Sequence, residues 1–145
     1  AASDVYKRQH ENWAILKAPG AGLTLAPTFD HASSLGRNES DAVRKERLGT
    51  RDAGRSVSTY VCRARSGLYK NQASRKPLST LDAFAQAGSM HSTATQFWLE
   101  RLDGLAPSML ESIVQSVPGA LLSECARDFA LRIMLENRRR LLALE

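Results

Sequence analysis

The chain has only two cysteines, three histidines and no long hydrophobic run, and each shortage excludes something. Its uninterrupted apolar stretches are a few residues long, as in Ala120-Leu121-Leu122. A membrane-spanning helix needs about 20 such residues, so no segment reads as crossing a bilayer and no membrane partner is expected. A basic start followed by an apolar core, the pattern of a secretory signal, is missing as well, and the expected location is the cytoplasm. Cys62 and Cys125 lack metal-ligand spacing and fall on separate expected helices, so they read as buried free thiols in a reducing compartment. His10, His31 and His91 form no ligand-like cluster.

What is present fits one folded domain. The 145 residues, 43% of them hydrophobic, are enough to bury one core. The net charge of +5 raises the question of nucleic acid. The basic residues, however, alternate with acids along expected helices, and only Arg138-Arg139-Arg140 forms a run. A solvated helix C-terminus accounts for that run, where positive charge meets the negative end of the helix dipole. Direct nucleic-acid binding is therefore not expected.

Along the chain, Glu11 to Lys17 reads as a strand, Pro19 to Gly22 as a turn, and Leu23 to Ala26 as the returning strand of a β-hairpin. From about Ser40 the pattern becomes helical. A short charged helix is expected over Asp41 to Leu48. A longer amphipathic helix is expected over Asp52 to Tyr69, with Val57, Tyr60, Val61, Ala64 and Leu68 on one face. Ser79 with Asp82 resembles a capping box and opens a helix through Ala87. Thr93 to Leu102 makes another, with Phe97 and Trp98 expected in the core, and Pro107 suits the first turn of the next. Ser123 caps a final helix through Leu142, whose buried stripe is Ala126, Phe129, Ala130 and Ile133. The expected class is mainly α with one hairpin near the N-terminus.

The first nine residues, AASDVYKRQ, resemble at every position the in-frame translation of a transposase sequencing adapter. They are set aside as non-native, and the natural sequence is expected to begin at His10.

Two polar residues flank the hairpin. Asn12 lies at its beginning and Asp30 just beyond its end. Because a hairpin returns its ends to one place, an amide oxygen and a carboxylate are expected to converge there. Hard oxygen ligands of this kind suit magnesium, which takes one or two protein groups together with phosphate oxygens and water. Asparagine and aspartate are also ordinary turn and cap residues, so geometry alone leaves both readings open.

The surrounding motifs carry a resemblance. His10-Glu11-Asn12-Trp13, followed by Leu25-Ala26-Pro27-Thr28-Phe29-Asp30, is similar to the HipA-like serine/threonine protein kinases, in which H-x-N-[FW] precedes L-[AT]-P-x-[FY]-D. The 18-position spacing from Asn12 to Asp30 agrees with that family. So do Arg51 to Arg55, Tyr60 to Ser66 and Asn137 to Leu142, and the likeness covers His10 to Glu145. It implies the helical C-lobe of a kinase-like fold, with Asn12 and Asp30 holding Mg2+ beside ATP. It also implies phosphorylation of a protein serine or threonine, and a toxin–antitoxin setting with a small DNA-binding partner. One departure is large: the family's catalytic aspartate stands five residues before the motif asparagine, and here that position is Lys7. Gln9 likewise occupies a family histidine position. No catalytic residue is retained, and the chain is expected to be an inactive, metal-holding fragment of its family. The alternatives are a non-catalytic helical interaction module or pseudokinase remnant and, behind that, a basic nucleic-acid-binding domain.

Among lesser candidates, Arg51 and Arg55 flank Gly54 and could face phosphate. Ser33-Ser34 reads as a cap, and Trp13 as an anchor for the loop carrying Asn12.

Overall fold

The computed structural model describes residues 15–17, 22–26 and 34–144. It divides into two compact units, Ala1–Ser34 and Leu35–Glu145. The described part of the first unit is a hairpin. Strand β1 (Ile15–Lys17) pairs antiparallel with β2 (Leu23–Leu25), with Ile15 opposite Leu25, Leu16 opposite Thr24 and Lys17 opposite Leu23. Leu16 and Thr24, opposite one another, share one face of the pair. The expected pairing is present, over three residues of each strand.

The second unit is mainly helical, and short-range chemistry sets most of its boundaries. Helix α1 (Asp41–Gly49) begins where the Ser40 side chain accepts from the Val43 amide, with Asp41 in its first turn and Arg47 in its last. Both charges favour the dipole. A 3-10 turn (Ala53–Arg55) follows, opened by the Asp52 carboxylate accepting from Gly54 N–H at 2.8 Å. Ser56 then caps α2 (Val57–Cys62). Ser79 caps α3 (Thr80–Met90), accepting from Asp82 N–H at 3.0 Å, while its hydroxyl donates to the Asp82 carboxylate at 2.7 Å. Helix α4 (Ser92–Asp103) has no side-chain cap bond, and α5 (Pro107–Gln115) starts on proline, which has no N–H to leave unpaired. Helix α6 (Glu124–Leu142) begins at Ser123, whose oxygen accepts from Ala126 N–H.

Helix α6 is the hub, packing against α1, α2, α4 and α5. Its stripe of Ala126, Phe129, Ala130 and Ile133 is buried, as its periodicity predicts. Phe129 is fully buried and meets Val57, Val61 and Ile133, with Leu48 and Tyr60 packed on the outside. The Tyr60 and Phe129 rings are tilted at 60° with centroids 5.3 Å apart, a favourable aromatic arrangement. Leu99 and Val114 carry the burial onto α4 and α5. Gly36, in the turn before α1, lies directly against the Phe129 ring.

Several expectations are corrected. The helix expected over Asp52 to Tyr69 is only α2, six residues long. Its end tightens as the amides of Arg63 and Ala64 reach three residues back, to the carbonyls of Tyr60 and Val61. The chain then turns extended. Ser66 N–H donates to Leu78 O, Leu78 N–H donates to Leu68 O, and Arg65 bridges Ser79. Gly67 supplies the left-handed φ of 76° that a helix cannot contain. The backbone groups of this loop are thus paired with one another, and Leu68 is left 57% exposed. The two thiols are not buried either. Cys62 is exposed, and Cys125 is half-buried with its Sγ donating to Asp41 O at 3.6 Å.

The Arg138-Arg139-Arg140 run is not uniformly solvated. Arg138 reaches across to α4, where its guanidinium donates to the carbonyls of Leu102, Asp103 and Leu105 and pairs with the Asp103 carboxylate at 2.9 Å. It bonds the carbonyls of Asp103 and Leu105 at and just beyond the end of α4, and adds a second donor to that of Leu102, which already accepts from Leu105 N–H. Among the described residues no helix is long and apolar enough to cross a membrane.

Candidate functional site

The antiparallel register puts Ile15 and Leu25 side by side at the open end of the hairpin. Asn12 stands three residues before Ile15 and Asp30 five after Leu25. The pairing therefore agrees with the topology on which convergence was expected. Asn12 and Asp30 themselves lie outside the described residues, as do Lys7, Gln9, His10, Trp13, His31 and Ser33. Their chemistry fits a magnesium ion, since one carboxylate and one amide oxygen are hard donors of the kind it takes with water and phosphate. Among the described residues no group of three His, Cys, Asp or Glu side chains is placed to hold a metal.

The other candidates resolve into structural roles. Arg55 pairs with Glu46, and Arg47 donates to the Arg55 carbonyl at 3.3 Å while its guanidinium lies 4.9 Å from the Tyr60 ring centroid. Arg55 thus ties the 3-10 turn to α1. His91 precedes α4 without a side-chain cap bond. The cap of α1 is Ser40.

One charged cluster joins two helices. Glu136 accepts from Ser58 Oγ at 2.8 Å and from Arg139 at 2.7 and 3.0 Å, linking α2 to α6. Hydrogen bonds from Arg139 hold its carboxyl below the ordinary 4.5; partial burial opposes this, and Ser58 reinforces it. A carboxyl whose pKa is depressed by folding stabilises the fold fully above its unfolded value. That contribution is lost as pH falls below 4.5 toward the folded value. Glu136→Gln is expected to flatten the acid limb of a stability–pH curve while leaving the limb above neutrality unchanged, as measured by urea unfolding at a series of pH values.

The largest departure from expectation is on α4. Phe97 and Trp98, expected in the core, are 48% and 59% exposed, and Leu99 between the helices takes the buried place. Their rings meet edge to face at 5.5 Å, and the Arg101 guanidinium lies 4.6 Å from the Phe97 centroid. Beside them is an apolar groove of about 500 Å³ lined by Phe84, Leu102, Leu105 and Leu141, with Trp98 and Arg101 contributing to its walls. On the other side of Trp98 a second depression of about 600 Å³ includes Met90, Ala94 and Phe97. The sequence signal for this surface is the spacing of Ala94, Phe97, Trp98 and Arg101, which puts all four on one helical stripe. Periodicity alone does not say whether such a stripe faces the core or the solvent.

Comparison with protein-family models, curated proteins and solved structures gave no match to this chain.

Proposed function

We propose that this chain is the C-terminal, magnesium-holding part of a HipA-like serine/threonine protein kinase. The observation that carries the reading is the pair of motifs His10-Glu11-Asn12-Trp13 and Leu25-Ala26-Pro27-Thr28-Phe29-Asp30, eighteen positions apart from Asn12 to Asp30, on either side of a hairpin. The helical unit that follows suits the C-lobe of such an enzyme. In this reading Asn12 and Asp30 hold Mg2+, which when bound neutralises the ATP phosphates. The phosphoryl acceptor is a serine or threonine hydroxyl of another protein. A small DNA-binding partner of antitoxin type and a cytoplasmic setting belong to the same proposal.

Lys7 stands where the family has the aspartate that accepts the proton of the attacking hydroxyl. A lysine ammonium is protonated at neutral pH and has no lone pair to accept it. The chain is therefore expected to bind metal–nucleotide without transferring phosphate. The test is titration with ATP and Mn2+ in place of Mg2+, following paramagnetic broadening of the Ile15 and Leu25 amide signals. Broadening is expected in the native chain and is expected to vanish in the Asn12→Ala, Asp30→Ala double variant. Broadening that persists unchanged in the double variant refutes the assignment. A second reading, a non-catalytic interaction module, is favoured by the exposure of Phe97 and Trp98.

A further inference from the structure

The exposed face of α4 has the composition of an interface rather than of a solvated surface. Met90, Phe97 and Trp98 are 67%, 48% and 59% exposed and lie on or beside one stripe. Aromatic residues, methionine and arginine are the types enriched at the centres of protein interfaces, and tryptophan and arginine dominate their energetics. The groove beside Trp98, about 500 Å³, falls within the roughly 300–1,000 Å³ of sites that enclose an organic group.

Charge selects the occupant. Among the described residues Arg101 is the one charged side chain lining the groove. Among the described residues it has no carboxylate partner, the ion pairs being those of Arg44, Arg55, Arg138 and Arg139. The acids of the same helix are elsewhere. Glu100 and Asp103 line a different cleft with Thr95 and Gln96, where Glu100 accepts from Gln96 and Asp103 pairs with Arg138. The groove therefore presents an apolar surface beside an uncompensated, pre-stacked guanidinium. A carboxylate brought there by an apolar partner meets a donor fork suited to it, and water is excluded around the pair. A second copy of the chain, docked face to face on this stripe, brings another Arg101 and no carboxylate.

We propose that the α4 face is a docking site for an acidic amphipathic helix of a partner protein. An apolar anchor of that helix enters the groove beside Trp98, and one of its carboxylates pairs with Arg101. Spacing supports a helix as the ligand, because Ala94, Phe97, Trp98 and Arg101 form the i, i+3, i+4, i+7 seam of helix-on-helix recognition. The inference stands independently of the kinase reading, since none of its residues belongs to the hairpin or its flanks.

The test uses the whole chain and two fluorescent helical peptides with the same leucine seam, one flanked by glutamates and the other by lysines. Fluorescence anisotropy is expected to show saturable binding of the glutamate peptide and binding of the lysine peptide at least roughly tenfold weaker. Trp98→Ala is expected to weaken the glutamate peptide by about tenfold or more. Arg101→Glu is expected to reverse the preference, a gain for the lysine peptide that misfolding cannot produce. Equal binding of both peptides, binding of neither, or no response to the two substitutions overturns the proposal. So does sedimentation showing a dimer that Trp98→Ala converts to monomer, which assigns the face to a second copy instead.

Discussion

Phe129→Ala is expected to destabilise the helical unit by about 3–5 kcal/mol, read as a lower urea midpoint with an unchanged denaturant slope. Phe129 is the largest fully buried side chain among the described residues, and it touches the apolar groups of both α2 and α6. Removing the ring forfeits its transfer energy and leaves a cavity among Val57, Val61, Ile133 and Tyr60. Those residues sit on helices held by other contacts and cannot collapse fully into the space. Domain stabilities are about 5–15 kcal/mol, so this one change removes a large share of the total. The comparison that makes the result specific is Phe97→Ala. The same deletion at a half-exposed position, where the Trp98 edge contact and the Arg101 stack are lost, is expected to cost about 1 kcal/mol or less. Equal losses at the two sites would contradict the placement of both rings.

Gly36→Ala is expected to cost about 2–5 kcal/mol, for two separable reasons. The backbone at Gly36 has φ of 72°, in the left-handed region where a Cβ is strained. A methyl group there would also lie 2.7 Å from Cδ1 of Phe129 and closer still to Cε1. That ring is fully buried and has nowhere to retreat. Arg44 adds to the constraint, donating to the carbonyls of Gly36 and Arg37 at 3.1 and 3.0 Å and holding the turn at the start of α1. Because the second cost depends on the ring, the two substitutions should not be additive. Combining Gly36→Ala with Phe129→Ala is expected to relieve the clash, giving a coupling of roughly 0.5–3 kcal/mol in a double-mutant cycle. Strict additivity would mean that the glycine is required for its backbone conformation alone.

Among the charged residues, Arg138 shows how much identity and neighbourhood differ. In the chain it is one of three consecutive arginines at a helix end, a pattern that solvent and dipole explain sufficiently. In the fold it leaves its own helix to bond the carbonyls at the end of α4, while Arg139 turns to Glu136. Adjacent residues on a helix point about 100° apart, so a run of like residues is divided among different surroundings. The hairpin and its flanking motifs carry the opposite lesson. Their pairing was legible from turn residues between two segments rich in aliphatic residues, and the register of Ile15 against Leu25 agrees with it. Asn12 and Asp30 lie outside the described residues, so the magnesium reading rests on the motifs and the donor chemistry.

Local chemistry along the chain sufficed for the helix starts at Ser79, Pro107 and Ser123, the hairpin pairing and the buried stripe of α6. Those features depend on bonds and spacings within a few residues, which a linear text contains in full. The short length of α2, the exposure of Phe97 and Trp98, the destination of Arg138 and the contact of Gly36 with Phe129 were decided by tertiary packing. An apolar stripe says that a helix has a face to cover, and only the arrangement of the other helices says which faces are covered. Helix α6 is surrounded and buries its stripe; among the described residues α4 packs on α6 and α3, and its Phe97–Trp98 stripe is left largely open.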